Sequence, residues 1–265
     1  MRIFVFGNPR LAKRAMYAGS SEAKIYRVDV QDGSVESLLR LDGEIRGMKF
    51  DSSSLYVITA NEQDLDDKSR VDAVLKTREC TLHSIISGTV KWTAEFVGTG
   101  FDGKKPYLTN DTVVIKSKNE LRAYDREHGN KRWSLSKGDF ESKLGLEQFG
   151  GSRGLISSGR FSVIDSIGNT VYCRGPDGSL SAIDGATGKF NWTNQDYWPK
   201  SGLSEYNGEI VFNHPKNEFV SCFVALDPES GSEQWQFQVP GWTAGKSLGT
   251  DFVFFTTEAC IVLKH

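Results

Sequence analysis

The residues that could perform chemistry in this sequence are few and widely spaced. A zinc site needs histidine, cysteine or carboxylate ligands at short, regular intervals. The histidines have no such spacing, which favours isolated surface side chains over a metal site; they are His83, His128, His214 and His265. No combination of serine, histidine and aspartate, or of cysteine and histidine, can be nominated as a nucleophilic site. The sequence therefore predicts no catalytic residue, no metal and no cofactor.

Two short stretches resemble ligand-binding loops. Asp64-Leu-Asp66-Asp67 has the spaced carboxylates of a calcium loop but lacks the glycine and the distant glutamate of an EF-hand. A solvated acidic loop is therefore favoured. Phe149-Gly-Gly-Ser-Arg153-Gly154 could hold an anion with its backbone amides and the Arg153 side chain. Because it lacks the strand-to-helix context of a phosphate loop, a flexible connection is the better interpretation.

A thirteen-residue pattern recurs along the chain and organises the remaining residues. Three copies, Leu121–Trp133, Leu180–Trp192 and Phe223–Trp235, keep Asp, Gly and Trp four residues apart. Their defining residues are Asp125, Gly129, Trp133, Asp184, Gly188, Trp192, Asp227, Gly231 and Trp235. Two degenerate copies keep part of the pattern: Ile25–Ser37 retains Asp29 and Gly33, and Cys80–Trp92 retains Gly88 and Trp92, with Ser84 in the Asp position. A chain built from one repeated unit is expected to stack those units.

Each copy is typical of two β-strands joined by a tight turn. The short apolar run before the Asp predicts a strand, such as Leu180-Ser-Ala-Ile183. The Asp can accept hydrogen bonds from the amides of its own turn, and the Gly can adopt the positive φ that closes it. The Trp then lies on the outgoing strand, where we expect it to pack against a neighbouring unit. One such hairpin cannot bury its apolar faces alone.

The spacing of the repeats predicts an all-β fold, a single β-propeller of six four-stranded blades spanning residues 1–265. Successive turn glycines lie 55, 41, 59 and 43 residues apart, and the short steps match a four-stranded blade of roughly 40–45 residues. The long steps indicate insertions at about 61–79 and 138–159. We expect Arg2–Phe6 to supply the fourth strand of the last blade and so close the ring. Further strands are predicted at Leu55–Thr59, Thr112–Ile115, Thr170–Cys173, Glu209–Phe212, Phe252–Thr256 and Cys260–Leu263.

The repeat resembles the signature of the pyrroloquinoline-quinone-type β-propeller family, Ala-x-Asp-x-x-Thr-Gly-x-x-x-Trp. The copy Ala182–Trp192 matches at every defining position, and Ala123–Trp133 and Ala225–Trp235 differ only at the Thr. The resemblance implies a propeller whose repeats dock on one another. The quinone-dependent dehydrogenases of this superfamily use eight blades and an adjacent Cys-Cys pair, which this sequence lacks. The resemblance therefore favours the family's other common use, a rigid non-enzymatic platform that binds proteins.

Composition and cysteine placement narrow the classes of function. The formal charge of −2 argues against nucleic acid as a partner, and no stretch approaches the roughly 20 apolar residues of a membrane span. The N-terminal apolar run is too short for a signal peptide, and no cysteine near it could accept a lipid. Reduced, buried thiols are favoured over disulfides, which predicts a cytoplasmic protein. The thiols are Cys80, Cys173, Cys222 and Cys260.

Loop geometry predicts one face for binding. The turns with Asp and Gly lie on one side of a propeller, whereas both insertions and the segments between blades lie on the other. Aromatic and charged residues on such loops are typical of a protein-binding surface, although Trp198 and Trp242 could equally fold inward. The predicted contact residues are Asp64, Asp66, Asp67, Phe149, Arg153, Tyr197, Trp198 and Trp242.

These observations favour a non-enzymatic protein that is monomeric outside its complex and binds a protein partner through this loop-rich face. An immunity protein that inhibits a cognate bacterial toxin is one such role. Two alternatives stay open at this point: a scaffold subunit of a larger assembly, and a hydrolase or lyase that binds a carbohydrate or other small ligand in the central channel.

Overall fold

The protein consists mainly of β-strands. The computed structural model describes residues 3–5, 15–20, 22–51, 53–61, 77–99, 105–118, 120–143, 162–175, 177–197, 199, 202–215, 220–240, 244–248, 251–255 and 260–263. These residues form six antiparallel sheets, in each of which the strands follow one another in chain order. The chain divides into two compact units, Met1–Ser136 and Lys137–His265. Three of the sheets lie in each unit.

The first unit contains three four-stranded sheets. The first sheet comprises β1 (Ile3–Val5), β2 (Ala15–Ser20), β3 (Lys24–Asp29) and β4 (Val35–Arg40). The second sheet comprises β5 (Glu44–Phe50), β6 (Ser54–Ala60), β7 (Thr77–Ile86) and β8 (Thr89–Thr99). The third sheet comprises β9 (Tyr107–Leu108), β10 (Thr112–Ser117), β11 (Glu120–Asp125) and β12 (Lys131–Ser136).

The second unit begins with a short helix, α1 (Lys137–Lys143), and continues with three sheets. The fourth sheet comprises β13 (Ser162–Ile167), β14 (Thr170–Arg174), β15 (Leu180–Asp184) and β16 (Phe190–Asn194). The fifth sheet comprises β17 (Ser204–Tyr206), β18 (Glu209–Pro215), β19 (Val220–Leu226) and β20 (Glu233–Pro240). The sixth sheet has three strands among the described residues: β21 (Ala244–Leu248), β22 (Asp251–Phe255) and β23 (Cys260–Leu263).

The core of the first unit lies between its sheets, and β6 shows how. Successive side chains of a strand point to opposite faces, so a strand between two layers must be apolar on both faces. Leu55 and Val57 pack in a cluster with Ile25 of the first sheet, whereas Tyr56 and Ile58 pack in another that includes third-sheet residues. Every residue of β6 is buried. The second sheet is therefore an inner layer of this unit.

The second unit repeats this arrangement. One cluster joins Tyr172 and Ala182 of the fourth sheet to Phe212 and Val224 of the fifth sheet. The other face of the fifth sheet carries a smaller cluster of Tyr206, Val211, Phe223 and Ala225, against which Trp235 packs. The apolar residues of β18 and β19 thus alternate between two clusters, as the two-residue period of a strand requires.

Helix α1 covers part of the fourth sheet. The Phe140 side chain is fully buried and meets the Phe190 ring edge-on, with the ring centroids 4.9 Å apart. Asp139 in the first turn and Lys143 in the last turn suit the helix dipole. The sequence predicts an insertion at about 138–159 but no helix within it. Since α1 has only seven residues, its stability must come chiefly from burying Phe140.

The strands predicted from the repeat spacing are confirmed. All six of the further predicted strands lie on observed ones: β6, β10, β14, β18, β22 and β23. Most of the predicted insertions at about 61–79 and 138–159 lies outside the described residues, although Thr77 begins β7. No described helix has the length and apolar character of a membrane span.

The predicted closure of the ring by Arg2–Phe6 is wrong for the part of this segment that the structure describes. Ile3, Phe4 and Val5 pair with Ser20, Gly19 and Ala18 in the first sheet, not with the last. Pairing with β2 joins two segments that lie close together in the sequence, which costs less chain entropy than joining segments at opposite ends of the chain. The first sheet therefore has four strands. The sixth has three in the described part of the chain.

Candidate functional site

The Asp of each complete repeat is used by its own turn. Asp125 Oδ1 accepts hydrogen bonds from the backbone N–H of Glu127 and His128, both at 2.9 Å, and its other oxygen binds Arg132. The backbone N–H of His128 is the main reason that the pKa of Asp125 falls from 3.8 to about 2. Asp184 and Asp227 bind the equivalent amides of their turns. These carboxylates hold the turns closed and are ill suited to act as general bases.

The turn glycines adopt the predicted conformation. Gly33, Gly88, Gly129, Gly188 and Gly231 all have positive φ. The degenerate copy Cys80–Trp92 differs from the complete copies in one respect. Its Ser84 does not lie in a turn, as the Asp does, but is buried within β7, opposite Trp92. A two-residue turn of Ser87 and Gly88, both with positive φ, joins β7 to β8 instead. That backbone matches the twist of a tight hairpin.

In two of the repeats, the tryptophan packs on the turn of the repeat that follows it in the chain. A Cβ atom at Gly129 would stand 2.5 Å from Trp92 Cδ2, and one at Gly231 would stand 2.5 Å from Trp192 Cδ2. Both indole N–H groups donate to the carbonyl that follows the Asp of that turn, Arg126 O at 3.0 Å and Pro228 O at 2.9 Å. The Gly therefore serves two purposes. It permits the positive φ, and its missing side chain leaves room for the indole ring.

The other two tryptophans of the pattern differ from one another. Trp133 is buried. Trp235 is only partly buried, although each repeat tryptophan is expected to pack against a neighbouring unit. Its Nε1–H donates to Glu209 Oε2 of its own sheet, at 2.6 Å. No further copy of the pattern follows Trp235 in this sequence.

An arginine that is not part of the repeat pattern joins the second and third sheets. The Arg126 guanidinium forms an ion pair with Asp51, donates to Tyr56 OH at 3.2 Å, and donates to the Thr109 carbonyl at 2.8 Å. Desolvation lowers the pKa of Arg126. Residue 126 varies among the repeats, being Gly185 and Pro228 in the others, so the pattern held no signal for this role. The cluster is structural, since every partner of the guanidinium lies within the fold.

Only one of the predicted partner-binding residues can be placed. Tyr197 packs on the fifth sheet: its hydroxyl donates to Glu233, and its ring meets His214 edge-on with centroids 5.4 Å apart. The bond to Glu233 is the main cause that raises the pKa of Tyr197 to about 12. The other predicted contacts lie outside the described residues: Asp64, Asp66, Asp67, Phe149, Arg153, Trp198 and Trp242. The predicted binding face therefore stays a prediction.

The histidines and cysteines show little potential for chemistry. His83 is buried, not on the surface as predicted, because the second sheet is an inner layer; its Nε2 lies 2.9 Å from Thr59 Oγ1. Burial lowers the pKa of His83. Cys80, Cys173 and Cys222 are buried thiols outside any disulfide, as predicted, whereas Cys260 is exposed. Within the described ranges, no group of three or more potential ligands could hold a metal ion.

Comparison with known proteins identifies the repeat. Residues 67–195 match the family described as outer membrane protein assembly factor BamB, and this range contains three of the five copies of the pattern. The repeats are of the pyrroloquinoline-quinone type. No curated protein sequence matched the chain.

Solved structures of three different proteins are similar to this chain in fold. BamB from Moraxella catarrhalis is 16% identical with a TM-score of 0.55, over 95% of this chain and 70% of that chain. Quinohemoprotein alcohol dehydrogenase from Comamonas testosteroni is 18% identical with a TM-score of 0.52, over 86% of this chain and 42% of that chain. Acylaminoacyl peptidase from Pyrococcus horikoshii is 13% identical with a TM-score of 0.57, over 94% and 41%.

These likenesses establish an all-β propeller fold and no more. The chain spans less than half the length of the dehydrogenase and peptidase chains. The similar folds include enzymes as well as an assembly factor, so the fold by itself does not assign an activity.

Proposed function

We propose that this protein is a non-enzymatic propeller that binds a protein partner. The observation that supports the proposal most is that the Asp and Trp side chains of the repeat form hydrogen bonds to the protein's own backbone. The Asp carboxylates bind their own turns, and the Trp92 and Trp192 indoles are held by the next turn. A frame whose repeat residues bind one another suits a platform whose loops carry the recognition.

The binding surface that we propose is the loop-rich face. Its insertions carry Asp66 and Phe149, and the segments between the sheets carry Tyr197, Trp198 and Trp242. Tyr197 supports this assignment in one respect: its hydroxyl donates to Glu233 of the fifth sheet, and its amide donates to Asn194 of the fourth sheet, so Tyr197 is anchored to both sheets. A well-anchored loop loses less conformational freedom on binding than a free one.

Within this role, we propose an immunity or inhibitor protein for a bacterial toxin, acting in the cytoplasm. The buried thiols of Cys80, Cys173 and Cys222, none of them in a disulfide, suit a reducing compartment. An acidic binding loop at Asp64, Asp66 and Asp67 suits a basic partner. A scaffold subunit would share the same frame but would bind a permanent assembly.

The test is the isolation of the native partner with tagged protein, followed by affinity measurement on purified components. Trp198→Ala and Asp66→Lys should weaken binding, by about 30-fold or more for a central aromatic side chain. The matched control is Glu127→Lys, because Glu127 is highly exposed on a repeat turn. The control should bind normally.

The result also separates the alternatives. A toxin partner whose activity the protein blocks supports the immunity role, whereas stable recovery in a multi-subunit complex supports a scaffold. Turnover of a small molecule that survives the loop substitutions would contradict the proposal and favour an enzyme. Unchanged affinity in both loop variants, with loss in the turn variant, would mean that the opposite face binds.

A further inference from the structure

The second and third sheets carry a group of charged side chains at one of their ends. At this end β6 stops at Ala60 and β7 begins at Thr77, so the predicted insertion at about 61–79 leaves the sheet here. The group therefore lies on the side of the proposed loop-rich face. We name it the basic patch, and its members are Arg46, Arg78, Lys116, Lys118, Arg122, Glu44 and Glu120.

In the second sheet, two arginines of the patch share one carboxylate. Arg46 Nη1 lies 2.9 Å from Glu44 Oε2, whereas Arg78 Nη1 lies 3.9 Å from the same oxygen, which is too long for a hydrogen bond. Arg46 is the additional residue of a β-bulge in β5, and such bulges redirect a side chain. The Arg78 side chain is only 13% exposed. Glu44 balances one of the two positive charges.

The alternation of the strands directs this pair toward the third sheet. Glu44 pairs with Ala60, and Arg78 lies two residues before Cys80 in β7. Ala60 and Cys80 pack in the cluster that includes third-sheet residues. Because successive side chains of a strand point to opposite faces, Glu79 points away from the patch although it follows Arg78 in the chain.

The third sheet adds cations directly beside Arg78. The backbone N–H of Lys118 donates to Val97 O at 3.0 Å. Val97 precedes Gly98, which is the residue opposite Arg78 in the pairing of β7 with β8. The Lys118 side chain is exposed, and Lys116 Nζ donates to the Lys118 carbonyl at 2.9 Å. The two sheets therefore bring their charges to one continuous surface.

The patch holds more positive than negative charge. Its five cations and two carboxylates leave an excess of three positive charges. The opposite end of the same sheets differs, because Arg126 there pairs with Asp51 and Arg132 pairs with Asp125. A surface with an excess of one charge attracts a ligand of the opposite charge.

The side chains of the patch favour carboxylates over a nucleic acid as that ligand. A guanidinium binds a carboxylate through two parallel hydrogen bonds, and Glu44 already occupies such a place beside Arg46. A nucleic acid would bring a continuous row of phosphates past Glu44 and Glu120, which repel them. An acidic protein segment can instead place single carboxylates beside single cations.

We propose that the basic patch binds an acidic segment of a partner protein. Carboxylates of the segment bind the guanidinium of Arg78 and the ammonium of Lys118. The inference rests on the proposed function, since the patch lies on the side of the loop-rich face. It assigns the partner an acidic segment in addition to the basic one that Asp66 would attract.

The test uses a synthetic peptide in which glutamate and serine alternate, labelled with an uncharged dye and titrated by fluorescence anisotropy. A second peptide has glutamine in place of every glutamate, and a single-stranded oligothymidylate of equal charge is the nucleic-acid probe. At an ionic strength of about 0.1 M, the glutamate peptide should bind about tenfold more tightly than the glutamine peptide. It should also bind more tightly than the oligothymidylate, and its affinity should fall as salt rises.

Variants locate the site. Lys118→Glu should weaken binding of the glutamate peptide about tenfold. The matched control is Lys131→Glu, because Lys131 is also exposed in the third sheet but lies beside the repeat turn at the opposite end. Arg78→Lys keeps the charge but loses the fork of donors, so it should weaken binding several-fold. Melting curves would check the fold of this variant, whereas the exposed Lys118 keeps the test decisive.

Three results would overturn the inference: equal binding of the two peptides, a loss in Lys118→Glu no larger than in Lys131→Glu, and tighter binding of the oligothymidylate. Trp198→Ala should leave the affinity for the glutamate peptide unchanged. If the native partner depends on Trp198 but the glutamate peptide does not bind, only this inference fails. If the peptide binds at the patch but no native partner depends on the loop residues, the proposed loop-rich face fails instead.

Discussion

The indole ring of Trp192 lies directly on Gly231, so close that a methyl group added there would stand 2.5 Å from Trp192 Cδ2. The indole N–H also donates to Pro228 O, three residues before that glycine. Together these contacts explain why a sequence pattern can hold sheets together. The Trp of one copy and the Gly of the next form a single joint, although 39 residues separate them in the chain.

Replacing Gly231 should therefore cost more than backbone strain alone. Gly208 has a positive φ like Gly231, but a Cβ there would meet nothing within 4 Å. Gly208→Ala should lower the free energy of unfolding by about 1–2 kcal/mol, the cost of a left-handed alanine. Gly231→Ala should cost a further 1–3 kcal/mol or so, because the methyl group displaces the indole. Urea unfolding of both variants measures the difference. Equal losses of unfolding free energy would show that the packing of Trp192 on Gly231 does not add to stability.

Replacing a repeat tryptophan with alanine should lower the free energy of unfolding more when that tryptophan is more deeply buried. Trp192 is 8% exposed, and Trp192→Ala should lower the free energy of unfolding by about 3–5 kcal/mol. Trp235→Ala should cost clearly less, because Trp235 is only partly buried in the fifth sheet. Denaturant unfolding of the two variants checks the order. A larger loss for Trp235→Ala would mean that β20 is covered in solution.

Acid should loosen the turn at Asp125. The pKa of this carboxyl is lowered from 3.8 to about 2, chiefly by the backbone N–H of His128 and then by Arg132. A depressed pKa contributes stability above the unfolded value of 3.8, and this contribution is lost as the pH falls toward 2. Asp125→Asn should remove this part of the pH dependence of unfolding. A carboxyl titration by NMR would test the premise, since a midpoint near 3.8 contradicts it.

His83 should also make the protein less stable in weak acid. Burial lowers the pKa of His83 below its ordinary 6.5, so the unfolded chain binds a proton before the folded one does. Stability should therefore be complete above about pH 6.5 and decline as the pH falls below it. His83→Gln keeps a partner for Thr59 but cannot titrate. Its unfolding free energy should vary less between about pH 7 and 5, and an unchanged slope would assign the effect to other groups.

Much of this molecule could be predicted from local spacing. The turn from Asp125 to Gly129 depends on contacts within a few residues, so its residue types appear in the sequence as a pattern. Strands such as β6 and β14 could be predicted because a run of apolar, β-branched and aromatic residues is itself the cause of their burial. The spacing of the copies also indicated their stacking. The type of repeat followed from the same residues.

Only the tertiary structure decided which groups meet. That Trp192 rests on Gly231 and Arg126 pairs with Asp51 depends on how sheets pack, and neither spacing nor residue type encodes it. The N-terminal strand could pair with either of two sheets by pattern, and the shorter loop places Ile3–Val5 in the first. Trp235 has the same position in its repeat as Trp192 has, yet it is more exposed. Burial depends on the next layer, which a residue's own sequence neighbours do not determine.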